Sequence, residues 1–182
     1  MSKVKGTVLV DFVKTIRSDK TGVYEPYLTE GDREVISSRI LPSGWYPFET
    51  FKNCFQAVAE VLAGNDMEKV RQWGRLYGEN ILTSVYKAMI KQGQPMESLE
   101  KYGTYIRSFF DFGDIEVERV SDRKATVIIT GFGDDFPSLY YIMAGWIERS
   151  LELSGARDIK SGFDSKAWEG APETRIRLEW TM

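Results

Sequence analysis

One cysteine and no histidine limit the chemistry open to the side chains of this 182-residue chain. Cys54 could serve as a nucleophile or an acylation site, but a thiol needs a neighbouring base or cation to ionise, and no imidazole exists to supply one. Its place beside Phe51, Phe55 and Val58 on an amphipathic segment reads as that of a small buried hydrophobe. The absence of histidine also removes the commonest general base, the usual metal ligand and the proximal ligand of most haem proteins. Asp111-Phe112-Gly113 spells the metal-binding tripeptide of kinases, without the histidine-containing catalytic loop and the glycine-rich loop that belong with it. Gly131-Phe132-Gly133-Asp134-Asp135, ahead of a helix, has the look of a phosphate-cradling turn. Its third glycine is missing, however, and two carboxylates would repel a phosphate, so helix capping is the expected role. Asp111, Asp114, Asp134 and Asp135 could offer oxygen ligands to a cation, yet acids clustered in polar turns are ordinarily solvated. No metal site and no cofactor are expected. No base and nucleophile pair can be named, so the chain is expected not to be an enzyme.

The elements that would position these residues are written locally. Phe136 to Gly155 is the longest segment with apolar residues on one helical side: Leu139, Ile142, Met143, Trp146, Ile147 and Leu151 recur at three-and-four spacing. Pro137 suits its first turn, Ser138 or Asp135 can cap it, and Gly155 can close it in the left-handed conformation. Before it, the spacing predicts helices over 6–17, 32–39, 48–63, 68–91 and 96–110, the fourth with Val70, Trp73, Tyr77, Ile81, Leu82, Val85 and Met89 inward. Leu41-Pro42-Ser43-Gly44-Trp45-Tyr46-Pro47 reads as a rigid turn holding two aromatics, over a core edge or a pocket. Gly74 and Gly78 leave one helix face bare for close approach, either within the subunit or as a dimer contact. After Gly113 the period falls from 3.6 to 2. Residues 114–130 and 157–180 then read as two antiparallel strand pairs with one greasy and one charged face. The expected fold is a single α+β domain over 1–182. N-terminal helices and a long central helix pack on one face of a four-stranded, mainly antiparallel twisted sheet.

The 27 acidic against 24 basic residues give a net charge of −3 and a pI near 5.2. The whole-protein field therefore disfavours nucleic acid and anionic membrane as partners. No signal peptide is read in the first residues, no apolar run approaches the ~20 residues of a bilayer span, and a lone cysteine forms no internal disulfide. The cytoplasm is the expected compartment.

VKGTVLVDFVKTIR, WGRLYGENI, AGWIERSLELSGARDIKSG and ETRIRLEW, taken in order, resemble the superfamily of haem nitric-oxide/oxygen-binding (H-NOX) domains. The last part also resembles the four-vinyl-reductase-type domains and subunits of the transport protein particle. An uncharacterised bacterial family shares the turn of 41–47. The resemblance implies helices on a twisted antiparallel sheet, frequently a homodimer, often with a small or apolar ligand between helices and sheet. This chain departs from it: it has no proximal histidine, no Tyr-x-Ser-x-Arg motif for the haem propionates, and no C-terminal cysteines for zinc. The expectation is thus a haem-free, non-catalytic regulatory or sensory module that binds a small apolar ligand and forms a homodimer. Trp45, Tyr46, Trp73, Tyr77, Tyr141 and Trp146 are its expected ligand-binding residues, and a signalling protein is a possible partner. The alternative is a scaffold or adaptor acting through protein contacts alone.

Overall fold

The computed structural model describes residues 1–84 and 86–182; Val85, expected on an inward helix face, lies outside the described residues. The chain divides into two compact units, Met1–Asp66 with Arg107–Phe112, and Met67–Ile106 with Gly113–Met182.

The first unit is organised by the turn at 41–47. Strand β1 (Lys3–Lys5) pairs antiparallel with β2 (Trp45–Pro47), Val4 opposite Tyr46. This short pair was not foreseen, because three residues carry no readable alternation. β1 leads directly into helix α1 (Gly6–Ser18), which has no side-chain N-cap. Carbonyls of the turn do that work instead: Gly6 N–H donates to Gly44 O at 2.9 Å and Thr7 N–H to Pro42 O at 3.0 Å, satisfying donors that a helix start leaves orphaned. Helix α2 (Glu30–Ser37) begins with a capping box in which Thr29 and Asp32 satisfy each other's backbone N–H groups. Helix α3 (Phe48–Val58) runs into a π-helical turn over Ala59–Ala63 and ends at Gly64, left-handed at φ 59°. Rings of Phe12, Phe48, Phe51, Phe55, Phe110 and Phe112 pack mutually at centroid distances from 4.6 to 6.4 Å to form its core.

In the second unit β3 (Asp114–Ser121), β4 (Lys124–Thr130), β5 (Arg157–Ser165) and β6 (Thr174–Thr181) form one antiparallel sheet in the order β3-β4-β6-β5. Ala125, Val127 and Ile129 lie opposite Leu178, Ile176 and Thr174 on the buried side. The other side carries the register rows Glu116–Ile128–Arg175 and Glu118–Thr126–Arg177, where Arg175 reaches Glu118 at 3.5 Å. The greasy and charged faces are as the alternation predicts.

Helix α4 (Met67–Leu82) stops nine residues short of the expected end, and Met89 is buried in a separate 3₁₀ turn. The expected helix 96–110 is two pieces, α5 (Pro95–Glu100) and α6 (Tyr102–Ile106). Phe109 and Phe110 leave it to bond with β1, Lys5 N–H donating to Phe109 O at 2.7 Å. A 3.6-residue pattern cannot distinguish a continuous helix from two pieces on the same face. Helix α7 (Pro137–Leu153) has Pro137 in its first turn and Gly155 at φ 104° beyond its end, but no side-chain cap. It is buried on more sides than its stripe implied, with Tyr140, Ala144, Gly145 and Glu148 also enclosed.

Candidate functional site

The α4–α7 seam is the tightest helix packing in the second unit, and three glycines make it possible. A methyl group at Gly74 would overlap the Ile142 carbonyl oxygen and lie 2.9 Å from its carbon. One at Gly145 would overlap the Arg71 carbonyl oxygen, and one at Gly78 would lie 2.8 Å from Trp146 Cδ1. Of the two roles anticipated for Gly74 and Gly78, the structure uses packing within the subunit. α7 covers the face that a dimer contact there would need free.

Beside the glycines runs a charged lock. Glu148, 7% exposed, accepts from Arg71 Nε at 3.0 Å, from Arg75 Nη1 at 3.1 Å and from Ser161 Oγ on β5. Arg149 joins Glu79 and Glu152, each at 2.8 Å, and Arg75 also reaches Glu152. Burial pushes the Glu152 carboxyl up, but hydrogen bonds from Arg75 and Arg149 outweigh it and hold the group below the usual carboxylate range. Arg71, Arg75 and Arg149 are matched here by Glu79, Glu148 and Glu152, with Glu68 also 3.7 Å from Arg71, so the cluster is a structural clamp rather than an anion site. It was missed in the sequence, although opposite charges repeated four apart on two helices, Arg71/Arg75 and Glu148/Glu152, are the signal that would have found it.

The expected ligand-binding residues separate between the units. In the first, Tyr46 and Trp45 support the turn. Tyr46 Oη accepts from Leu41 N–H at 2.7 Å, and its ring occupies the space that side chains at Gly6 and Gly44 would need. Trp45 is 40% exposed beneath Lys5 Nζ, 4.3 Å from the ring centroid. In the second, Trp73 and Tyr77 are half-buried on α4. Tyr141 and Trp146, five residues apart on α7, are separated by ~140° around the axis and meet different neighbours. Trp146 lies over Gly78 with its ring 6.1 Å from Tyr102, edge to face. Tyr141 packs on Phe163 of β5 at 4.9 Å and on Trp168 at 5.7 Å.

Tyr141 thereby marks a feature the sequence did not disclose. Trp168, in the turn between β5 and β6, also touches Phe163 at 5.2 Å and Tyr140 at 5.0 Å. Next to this aromatic cluster opens a cleft of about 300 Å³ between the loop after β4 and the loop before β6. Ile129 and Tyr140 border it from the core side, Gly131 and Asp134 from one loop, Gly170 and Glu173 from the other. The Tyr140 hydroxyl donates to Gly133 O, and burial raises its pKa. Gly131, Gly133 and Gly170 have φ of 76°, 84° and 91°, which lets both loops turn back without side chains filling the gap. Gly131 and Gly133 thus shape a cleft wall, whereas the helix capping expected of the 131–135 turn is not seen: the residue before α7 is Phe136, and no side chain caps the helix.

A haem group, tested against the donors present, does not fit. The chain has no histidine. Burial, helped by the Asp32 charge, pushes the Cys54 thiol up to about 12, and burial raises the Tyr102 phenol, so neither offers an anionic axial donor at neutral pH. Among the described residues no group of three or more His, Cys, Asp or Glu side chains could hold a metal ion, and no helix is long and apolar enough to cross a membrane.

The fold places the chain among proteins of H-NOX-like architecture. A mutant H-NOX protein from K. algicida, in its Fe(II) unliganded state, superposes with a TM-score of 0.69 at 14% identity, over 98% of this chain and 97% of that one. The H-NOX protein from S. oneidensis in its Fe(II)NO state gives 0.70 at 9% identity, over 98% and 99%. An oxygen-binding H-NOX domain related to soluble guanylate cyclases gives 0.66 at 15%, over 98% and 95%. By sequence the chain belongs to the family described as Protein of unknown function (DUF2378), whose model matches residues 35–181. No curated protein matches it.

Proposed function

We propose that residues 1–182 work as one haem-free sensory or regulatory domain that binds a small, largely apolar molecule, forms a homodimer and catalyses nothing. The carrying observation is the likeness of nearly the whole chain to H-NOX domains, in a sequence without the histidine that would hold iron. A ligand-binding architecture kept without its metal ligand is suited to a ligand that needs none. The cleft beside Tyr140 supports this reading. Its volume lies at the lower end of small-molecule sites, and Ile129, Tyr140, Ala167, Ala171 and Pro172 give it apolar surface beside the polar Thr130, Asp134 and Glu173. In a cell the module would act in the cytoplasm, passing ligand occupancy to a signalling protein.

Two measurements test the proposal. Haemin titration should produce no sharp Soret band, and protein purified from haem-replete cells should be colourless. Melting against a panel of apolar metabolites should find compounds that raise Tm with concentration, as ligands of the native state do. Ala171→Phe, which would fill the cleft, should cancel the shift. Stoichiometric haem uptake, or a ligand shift indifferent to Ala171→Phe, would refute the haem-free reading or this site respectively. The adaptor alternative is favoured if no compound shifts Tm and a protein partner is captured.

A further inference from the structure

We infer that the cleft beside Tyr140 selects a small organic cation, an amine carrying one apolar group. The inference rests on the proposal that this cleft is the ligand site, and it names the chemistry that the site prefers. The lining carries one sign of charge. Asp134 stands on the loop after β4 and Glu173 on the loop before β6, so a carboxylate borders the cleft from each side, and no lysine or arginine lines it. The cations next to the lining in sequence are already engaged: Lys166 Nζ lies 2.8 Å from Glu169, and Arg175 Nε holds Glu173 at 2.6 Å. Asp134, by contrast, makes no hydrogen bond and no ion pair among the described residues. Donors are as scarce as cations. The Tyr140 hydroxyl gives its proton to Gly133 O, which leaves its oxygen only lone pairs to offer a guest. Burial raises the Tyr140 phenol first, and the charges of Asp134 and Asp135 raise it further, so a negative field reaches the inner end of the cleft.

The kind of cation follows from the rest of the wall. A calcium or magnesium ion asks for about six oxygen ligands or more, whereas no group of three or more His, Cys, Asp or Glu side chains among the described residues could hold a metal. Ile129, Tyr140, Ala171 and Pro172 give the cleft apolar surface, which a hydrated metal ion cannot use and a hydrocarbon group can. An ammonium group brings N–H donors and no acceptor, the complement of a free carboxylate beside a phenol oxygen. Its bond to Asp134 is charge-assisted and stronger than a neutral hydroxyl would make. An anion of the same size would meet the Asp134 charge as repulsion. The volume of about 300 Å³ keeps the guest small.

2-Phenylethylamine, 2-phenylethanol and phenylacetate each join one ring to one short chain and differ in charge. Calorimetric titration of the full chain should rank them amine, alcohol, acid, with the amine ahead of the alcohol by roughly tenfold, the worth of a hydrogen bond to a charged group. Asp134→Asn should erase that lead and leave the melting curve of the unliganded protein unchanged, because this side chain ties nothing in the fold. Asp134→Lys should invert the order in favour of the acid, and Ala171→Phe should remove the binding of all three. Alcohol or acid bound as tightly as the amine, yet blocked by Ala171→Phe, would overturn the cationic class and leave the cleft standing as the ligand site. An amine lead that survives Asp134→Asn would overturn it equally. Amine binding indifferent to Ala171→Phe would remove the site and this inference together. Failure of all three compounds to bind would overturn the amine class alone, since the wider melting panel judges the cleft separately.

Discussion

Gly145→Ala is the most direct probe of the architecture. The new methyl carbon would overlap the Arg71 carbonyl oxygen and sit 2.9 Å from its carbon and 3.1 Å from Arg75 N. Carbon atoms rest at ~3.5–4.0 Å, so α4 and α7 must part by about 1 Å, and backbone cannot step aside as a flexible side chain can. Overpacking of this kind costs ~1–3 kcal/mol. Parting the helices also stretches the Arg71 and Arg75 bonds to buried Glu148, where weakened charge pairing adds ~1 kcal/mol or more. Alanine returns up to ~1 kcal/mol in helix propensity. The net expectation is a loss of about 2 kcal/mol, which for a chain of this length lowers Tm by ~4–8 °C. Gly31→Ala is the control. It is the same change in a helix, with the nearest non-neighbouring atom 3.9 Å away, and should be neutral or slightly stabilising. Urea unfolding of both variants and the wild type decides the matter. A Gly145→Ala midpoint equal to or above that of Gly31→Ala would refute the glycine seam.

Further outcomes follow from the first unit. Gly6→Ala would overlap the Leu41 carbonyl oxygen and crowd the Tyr46 ring at 2.9 Å, so it should destabilise by ~2 kcal/mol or more, read as a lower urea midpoint. Burial pushes Asp32 up, but hydrogen bonds from Thr29, Asn53 and Thr50 outweigh it and leave the carboxyl below its ordinary range. A lowered folded pKa stabilises fully above the unfolded value and is lost as pH falls through the folded one. Asp32→Asn should thus cost ~1–3 kcal/mol at neutral pH and flatten the acid limb of the stability curve. Cys54, fully buried with its thiol raised to about 12, should react with an aromatic disulfide only in denaturant; rapid native labelling would contradict its placement.

Much of this was legible residue by residue, for reasons of range. Elements written within one turn or one alternation, such as α1, α7 and the strand pairs 114–130 and 157–180, follow from apolar spacing and from breakers such as Pro137 and Gly155. Failures began where a local pattern had more than one solution. The 96–110 pattern suits one helix or two, and what ends it is the pairing of Phe110 with Val4, more than a hundred residues away. The aromatics were conspicuous as types, but their grouping was not. Tyr141 meets Phe163 and Trp168, whereas Trp146 meets Gly78 and Tyr102, because five residues of helix turn them to different sides.

The sequence by itself determined the α+β class, the wet and greasy faces of the sheet and the lack of an imidazole to hold iron, since composition and periodicity depend on nothing outside the segment. The tertiary structure alone decided that the glycines of α4 belong to α7, that the 41–47 turn caps α1 with its carbonyls, and that Trp168 closes an aromatic cluster beside an open cleft. Those are meetings between distant segments. The energy of such a meeting depends on which surfaces the whole fold brings together, and no window along the chain contains that information.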